Sequence, residues 1–338
     1  MKMRRLIAAA SAAIMVFALT ACGGAQGSGG SLGEKKQAGW PSGTVTVTVP
    51  ASAGGGTDNF TRITTNYLQK KTGQAFTVVN DITGNGTVAY ENIRKAEPDG
   101  SSLMAYHCTM LIQYYQGIYD KNPADPENFS VIGVLENGGD GDVLVVPANA
   151  PYNTLAELVD YCKQNPGVVF GNQNGGFGQL ETLLFADKAG IDIKFVDAGA
   201  QADTIVALLG GNIQCSFIQA AAAAQYVESG DMKVLAICNK ERSENYPEIE
   251  TFSENGYDVV LQTNMFLFGP AGMDQELKDS ISLTIKDMQD DEECIKLREN
   301  LANSYTWKNP ADSEKEWQEL SETIKEMCAL AGYDVSAK

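Results

Sequence analysis

Apolar and polar positions alternate in several short segments of the chain, and each of these segments leads through a loop into a helical pattern. After the first segment, Phe60, Ile63 and Leu68 fall at helical spacing before Gly73 ends the pattern. The predicted strands cover residues 44–49, 76–79, 101–107, 168–171 and 194–197. This alternation of strands with helices predicts an α/β architecture with mostly parallel sheets flanked by helices.

The first residues have the pattern of an export signal. Lys2, Arg4 and Arg5 precede a 16-residue apolar run over 6–21. The run is shorter than the roughly 20 residues that a membrane-spanning helix needs. It ends in the sequence LTAC, which resembles a bacterial lipobox, and this predicts lipidation of Cys22. An ordinary secretory signal followed by a chance cysteine is the alternative.

Residues 1–21 are therefore expected to be a lipoprotein signal peptide, and residues 22–42, which include a Gly/Ser tract, a flexible tether. Such a protein is exported and lipid-anchored on the outer face of the bacterial cytoplasmic membrane, at the cell surface or in the periplasm. The lipid is its expected contact with the membrane.

Charge and cysteine spacing exclude two classes of function. The formal net charge of −18 gives no sign of the basic face that nucleic-acid binding requires. The seven cysteines form no CxxC pair, so no metal site is expected. Cys215 and Cys238 lie in apolar, strand-like segments and are interpreted as small buried hydrophobic residues.

Glycine-rich loops follow four of the predicted strands and precede helices. At the carboxyl end of a strand such a loop points backbone N–H groups into a cleft, and a helix N-terminus adds partial positive charge. Four loops of this kind favour an anion site without Lys or Arg, although each could be only a tight turn. The candidate ligand-binding residues are Ser52, Gly54, Gly55, Gly56, Thr57, Asp58, Thr83, Gly84, Asn85, Gly86, Thr87, His107, Asn172, Asn174, Gly176, Phe177, Gly178, Gln179, Gly199 and Asp203.

Two functions compete for these loops. The sequence GNGTVA (84–89) fits a dinucleotide fingerprint, but the next strand ends at His107 where an acidic residue is required. His107 and Cys108 are adjacent in a strand and point to opposite faces, so they are not a nucleophile–base pair. No catalytic residue and no cofactor is expected, and a two-lobed protein that closes on a small anion is favoured.

The order of motifs resembles the substrate-binding proteins of tripartite tricarboxylate transporters, the TctC or Bug family. VPASAGGGTDNFTR (49–62) looks like the first block of the family, and VVNDITGNGTVA (78–89) is similar to its Asn-x-x-Gly-Ala-Gly-Gly block. The Pro-Asp-Gly turn at 98–100 and the GPAG sequence at 269–272 follow in family order. The similarity extends from about Thr44 to about Gly332.

The resemblance implies a periplasmic-binding-protein-like fold, with a ligand cleft between two lobes. Lobe one would comprise residues 43–143 and 263–338, and lobe two residues 144–262. The ligand would be a small organic acid, held by backbone amides, hydroxyls and water, and delivered to large and small integral-membrane permease subunits. The protein would be a monomer and not an enzyme. An exported α/β enzyme acting on a small carboxylate is the alternative.

Several positions of lobe two depart from the family pattern. Gln179 and Thr182 replace a serine and a histidine, and Asp197 lies where a tyrosine is common. Asn264 replaces a tryptophan that often precedes the GPAG block. The longer amide of Gln179 indicates a ligand end that is smaller or differently hydrogen-bonded. Asp197 could favour a ligand with an amine, or be a solvated loop acid.

Overall fold

The computed structural model describes residues 39–136, 139–244, 246–260, 264–301, 303–336 and 338. The strands are β1 (Val45–Val49), β2 (Phe76–Asn80), β3 (Ser102–Tyr106), β4 (Phe129–Glu136), β5 (Asp142–Pro147), β6 (Val168–Asn172), β7 (Ile193–Asp197), β8 (Ser216–Gln219), β9 (Met232–Ile237) and β10 (Met265–Pro270). The helices are α1 (Gly56–Thr72), α2 (Thr87–Arg94), α3 (Thr109–Tyr115), α4 (Leu155–Gln164), α5 (Phe177–Ala189), α6 (Gln201–Leu209), α7 (Ala220–Glu228), α8 (Gln275–Lys286), α9 (Glu292–Glu299) and α10 (Pro310–Leu330).

The predicted signal peptide, the lipidation site Cys22 and most of the predicted tether lie outside the described residues. Within the described ranges, none of the helices combines the length and the apolar character that a membrane crossing requires.

The first lobe is built on a five-stranded sheet in the order β2-β1-β3-β10-β4. Strand β1 pairs in parallel with β2 and β3, whereas β10 runs antiparallel to both of its neighbours. The alternation of Val45, Val47 and Val49 that predicted β1 buries all three side chains in the core. Helix α10 covers the sheet and buries Trp317 against Phe266 and Phe268.

The second lobe contains strands β5 to β9. Strand β5 lies between β8 and β9 and is antiparallel to both, while β6 and β7 pair in parallel. A parallel bridge between Phe170 and Cys215 joins the two groups of strands. The core here includes Phe185, Phe217 and Phe252, whose rings pack within about 5–7 Å of one another.

The prediction of mostly parallel sheets was wrong in detail, because the pairing in both lobes is mixed. The chain passes from the first sheet to the second between β4 and β5 and returns between β9 and β10. Strands β5 and β10 are the first strands after each passage, and both run antiparallel to their neighbours. The parallel pairs β1–β2 and β6–β7 are each connected by one intervening helix, α1 or α5.

Sheet membership agrees with the order of lobes that the family resemblance implies, and the lobe boundaries at 143/144 and 262/263 stay a prediction. The five strands predicted from the pattern are all present, and no strand end differs by more than one residue. Cys215 and Cys238 are fully buried, and the six cysteines of the described residues are free thiols.

Candidate functional site

A cavity of about 880 Å³ opens between the two lobes. Loops at the carboxyl ends of β1, β3, β6 and β7 contribute to its lining, as expected for ligand sites in α/β proteins. Thirteen of the candidate residues line it: Ser52, Gly54, Gly55, Gly56, Thr57, Asn85, His107, Asn172, Gly176, Phe177, Gly178, Gly199 and Asp203. The other seven lie outside the lining: Asp58, Thr83, Gly84, Gly86, Thr87, Asn174 and Gln179.

Helices α1, α5 and α6 begin at the cavity without a side-chain cap. The N-cap residues are Gly55 for α1, Gly176 for α5 and Ala200 for α6, and none accepts a hydrogen bond through its side chain. All three line the cavity together with the first helical residues. The free N–H groups of a first helical turn and the partial positive charge of the helix end attract anions. The cavity therefore has anion-binding character from both lobes.

The loop before α1 is held by its own residues. Gly54 has a φ of 81°, which favours glycine, and its N–H donates to Oδ2 of Asp58 over 2.8 Å. Gly55 has a φ of −76°, and its N–H donates to the carbonyl of Ser52. The conformational need for glycine thus falls on Gly54. The donors left for a ligand are those of the first helical turn, from Gly56 onward.

Asp58 is a structural residue of this loop. Its carboxylate accepts hydrogen bonds from Gly54 N–H, from Nε of Arg62 at 2.9 Å and from Nδ2 of Asn80 at 3.0 Å. The side chain of Asp58 is only 3% exposed. Its three partners explain why the residue points away from the cavity and does not line it.

The loop before α2 contributes Asn85 alone among its predicted residues. The N–H groups of Gly86, Thr87 and Val88 donate to carbonyls within the same turn, and the Thr87 hydroxyl donates to the Gly84 carbonyl. These groups close the turn and are not turned toward the cavity. Nδ2 of Asn85 donates to the carbonyl of Asn174 over 3.5 Å, so the two lobes touch at this point.

In lobe two, the side chains of the β6–α5 loop are engaged with one another. Oε1 of Gln179 accepts from Gly175 N–H at 2.7 Å, and its Nε2 donates to Oδ1 of Asn174 at 3.1 Å. Asn172 donates to the carbonyl of Phe217 at 2.7 Å. The expectation that Gln179 reaches the ligand was wrong, because both ends of its amide hold the loop.

His107 lines the cavity at the end of β3 and stacks on the ring of Tyr106 at 4.3 Å between centroids. Burial lowers the pKa of His107 to about 4. The imidazole is therefore neutral at pH 7, and its Nδ1 accepts from the N–H of Thr109 over 3.4 Å. A neutral ring of this kind offers Nε2 as a polar contact but no positive charge.

The charged residues of the lining are all acidic. Among the described residues that line the cavity there is no Lys or Arg. Burial raises the pKa of Glu136 to about 8, and Arg298 and Asn303 offset part of this effect. The acidic residues are Glu136, Asp140, Asp142, Asp197 and Asp203. In the described part of the chain, no three His, Cys, Asp or Glu side chains come together as metal ligands.

The sequence analysis did not select Gln219, Gln201 or Asp142, which also line the cavity. The backbone N–H of Gln219 donates to Oε1 of Gln201 at 3.1 Å, and the side-chain amide of Gln219 lies close to Gly56 in the other lobe. Asp142 follows a glycine-rich turn and opens an apolar strand. The sequence signal for Asp142 was therefore a polar residue at the start of an apolar strand, in the segment that passes from the first lobe to the second.

Comparison with known proteins identifies the family. The sequence profile of the tripartite tricarboxylate transporter family receptors, TctC, matches residues 60–326. A "UPF0065 protein in gbd 5'region" of Cupriavidus necator is 26% identical over 293 residues, which cover 86% of this chain and 87% of that protein.

Two solved structures share the fold. "R. palustris Rpa4515 with adipate" superposes with a TM-score of 0.79 at 21% identity, covering 87% of this chain and 99% of the other. MatC from Rhodopseudomonas palustris with bound malate gives a TM-score of 0.76 at 21% identity, covering 85% and 99%. The fold is accordingly the two-lobed α/β fold of periplasmic binding proteins, and the chain belongs to the TctC receptor family of tripartite tricarboxylate transporters.

Proposed function

We propose that this protein is an extracytoplasmic solute-binding protein that captures a small organic acid between its lobes. It would deliver the acid to a tripartite tricarboxylate-type transporter with one large and one small integral-membrane subunit. The observation that carries the proposal is the opening of three uncapped helix N-termini, those of α1, α5 and α6, onto one cavity. The relatives described with adipate and malate support a small carboxylate as ligand.

Backbone amides would hold the carboxylate in this cavity. A hydrogen bond to a charged group contributes about 1.5–3 kcal/mol, so two or three amides replace an arginine. The lining described above contains no Lys or Arg that could take this role. The donors are on helices packed into the cores of both lobes, and such a preorganised site binds without a large ordering cost.

The experiment compares two substitutions of Gly56, the first helical residue of α1. Gly56→Pro removes one N–H, and proline is well tolerated at this position because the preceding Gly55 is extended at φ −76° and ψ 171°. Gly56→Ala adds the same Cβ, 2.9 Å from the flexible end of Gln219, but keeps the N–H. Calorimetry with a panel of C4–C6 carboxylic acids first identifies a ligand, and both variants are then titrated with it.

Gly56→Pro is expected to bind about 10-fold to 100-fold more weakly than Gly56→Ala, from the loss of one charge-assisted hydrogen bond. Gln275→Pro is the matched control, since Gln275 occupies the same position in α8 and does not line the cavity. Equal affinities of the two Gly56 variants would show that the α1 amides do not hold the ligand. Absence of binding across the whole panel would refute the proposed function.

The lipid anchor is a second element of the proposal and rests on the LTAC sequence that ends in Cys22. Replacement of Cys22 by Ala should prevent lipidation and alter processing of the signal. The mature mass and the detergent partitioning of protein made in a bacterial host are the measurements. An unchanged mass and unchanged partitioning of the Cys22→Ala variant would refute the anchor.

A further inference from the structure

A pair of carboxyl groups borders the cavity on the side of lobe two. Asp142, the first residue of β5, lines the cavity and is half-buried, and Glu181 of α5 adjoins it with 0% of its surface exposed. The N–H of Cys238 donates to the carbonyl of Asp142 at 2.9 Å, and the N–H of Gly141 donates to Oδ1 of Asn239 at 2.6 Å. The position of Asp142 is therefore set by the pairing of β5 with the segment that follows β9.

Glu181 has no hydrogen-bond partner for either carboxyl oxygen in the part of the chain that the structure describes. An ionised carboxylate that is buried without hydrogen bonds is very costly, and a second carboxylate beside it adds repulsion. Two adjacent carboxyl groups in such a place therefore retain one proton between them. Burial, followed by the charge of Asp142, raises the pKa of Glu181 well above its ordinary value. The retained proton is accordingly on Glu181, and Asp142 is the member of the pair that carries the charge.

In lobe two, the described groups that face Asp142 carry no positive charge. Its partner in β8 is Gln219, whose side chain is a neutral amide. Cys238 is a buried thiol, and burial raises its pKa well above the ordinary value. Asp140 is a further acid, which accepts a hydrogen bond from Asn239. None of these groups compensates the negative charge of Asp142.

The groups that lobe one turns toward the cavity do not compensate this charge either. Burial raises the pKa of Glu136 to about 8 and lowers that of His107 to about 4, so both side chains are neutral at pH 7. Burial also raises the pKa of Asp142, to about 6, which leaves it mostly ionised at pH 7. A carboxylate that enters the cavity brings a second negative charge near Asp142, and like charges repel strongly where water is excluded.

We propose that the cavity binds its carboxylate ligand together with one proton, which Asp142 takes up from solvent, so that both members of the Asp142–Glu181 pair are neutral in the complex. This inference rests on the proposed function, because the incoming charge is the carboxylate held at the helix ends. The proton leaves a water or buffer acid and forms an O–H bond on the Asp142 carboxylate. A protonated Asp142 no longer repels the ligand and offers it a hydrogen-bond donor.

The sign of the pH dependence follows from this uptake. The complex holds one proton more than the free protein and ligand do, so lowering the pH favours binding. Affinity should rise by up to about 10-fold per pH unit as the pH is lowered from 8 to 6.5. Glu136 already holds its proton at pH 7, so uptake at that pH belongs to Asp142.

The test is calorimetry of the full mature chain at pH 7.0 with succinate, L-malate and adipate, in phosphate and in Tris. The two buffers differ in their heat of ionisation, so the difference between the measured heats gives the number of protons taken up per ligand. For an acid that binds, we expect between about half a proton and one proton. Repeating the titrations between pH 6.5 and pH 8 gives the dependence of affinity on pH.

Three variants assign the uptake. Asp142→Asn carries no charge and accepts no proton, so it should show no uptake and should bind about 10-fold more tightly than the native chain at pH 7.5. A gain in affinity distinguishes a charge role of Asp142 from a structural one, which would give a loss. Glu181→Gln keeps a neutral group beside Asp142 and should retain the uptake. Asp160→Asn is the matched control, with the same charge change on exposed α4, outside the cavity lining.

The outcomes are distinguishable. Proton uptake in the native chain and in Asp160→Asn that is absent from Asp142→Asn supports the inference. Binding without proton uptake, or uptake that persists in Asp142→Asn, overturns it while leaving the proposed function intact. Binding of no acid of the C4–C6 panel by the folded protein overturns the proposed function and this inference with it.

Discussion

Asp58 links the glycine loop to helix α1 through three hydrogen bonds, to Gly54, Arg62 and Asn80. Its partner Arg62 is 47% exposed on the side chain, and its guanidinium also reaches Asn80 at 3.2 Å. This pairing is structural, because Arg62 lies one turn into α1 and its guanidinium is held by Asp58 and Asn80. An exposed ion pair contributes little to the free energy of unfolding. The buried carboxylate of Asp58 instead holds the loop in place, and the amides that follow this loop face the cavity.

Asp58→Ala should therefore weaken ligand binding much more than Arg62→Gln. The first change releases the Gly54 N–H and frees the loop, and we expect a loss of about 10-fold or more. The second leaves Asp58 bonded to Gly54 and Asn80, and about 3-fold or less is expected. Calorimetry on variants whose circular dichroism is unchanged gives the comparison. A folded Arg62→Gln protein without affinity would mean that a side-chain charge holds the carboxylate.

At the residue scale, the sequence predicted the location of the site better than its contacts. Glycine loops after strands indicated the cavity correctly, and most of the predicted residues line it. Gln179 was predicted to contact the ligand, but an amide in a loop can bind either a ligand or the loop itself. Only the structure shows that the Gln179 amide forms its hydrogen bonds with Gly175 and Asn174. Asp142 and Glu181 come close to each other only in the folded chain, which no local pattern encodes.

At the scale of elements, some helices begin with a side-chain cap, and others, including α1, α5 and α6 at the cavity and α2 away from it, do not. Side chains cap α4, α8, α9 and α10, through Thr154, Asp274, Asp291 and Asn309. Helices α1, α5 and α6 have Gly or Ala at the same position and open onto the cavity. A cap satisfies a first-turn N–H within the protein, so the uncapped helices keep that donor for a ligand.

Installing a cap on α6 should accordingly stabilise the protein and weaken the binding of a carboxylate. Ala200 is extended, at φ −65° and ψ 165°, which suits a serine N-cap. Ala200→Ser is expected to raise the free energy of unfolding without ligand by about 0.5–2 kcal/mol and to lower affinity. Urea unfolding and calorimetry measure the two effects.

The control for this change is Thr154→Ala, which removes the hydrogen bond to Glu157 N–H at the start of α4. It should lower stability by a similar amount and leave affinity unchanged, since Thr154 does not line the cavity. If Ala200→Ser gains stability and binds as well as the native chain, the N-terminus of α6 is not part of the ligand site.

Elements with local signals were predictable, and their pairing was not. Period-two alternation located β1, and helical spacing located α1. The segment 218–227 has the composition of a good helix former throughout, but β8 ends at Gln219 and α7 begins at Ala220. The alanine run favours a helix, yet pairing of Ile218 with Val143 of β5 extends the strand. Such tertiary pairing overrides local propensity.

At the scale of the whole molecule, buried carboxyl groups make stability depend on pH. Burial raises the pKa of Asp142 to about 6 and that of Glu136 to about 8. Hydrogen bonds from Arg94 and other partners lower the pKa of Glu91 to about 2, against the opposing effect of burial. A carboxyl whose pKa is raised by folding binds more protons in the folded state, so stability falls as pH rises between its unfolded and folded pKa values.

We therefore expect Asp142, up to about pH 6, and Glu136, up to about pH 8, to lower the free energy of unfolding as the pH rises from about 4.5. The lowered pKa of His107 acts in the opposite direction between about pH 4 and pH 6.5 and reduces the slope there. Below about pH 4.5 the sign reverses for Glu91, whose stabilising contribution is lost as its carboxylate is protonated. Stability should be greatest on the acidic side of neutrality. Urea unfolding of the mature chain without ligand, between pH 4 and pH 8.5, measures this profile.

Single substitutions assign the two parts of the profile. Asp142→Asn removes only the contribution of Asp142, which ends at about pH 6, and Glu136→Gln removes the contribution of Glu136, which spans about pH 4.5 to about pH 8, because a neutral amide takes up no proton in either state. A shift of one pKa unit corresponds to about 1.4 kcal/mol, so a loss of either contribution is measurable. A native profile that is flat between pH 5 and pH 8, or that rises, would show that these carboxyls are solvated or paired with a cation in the folded protein.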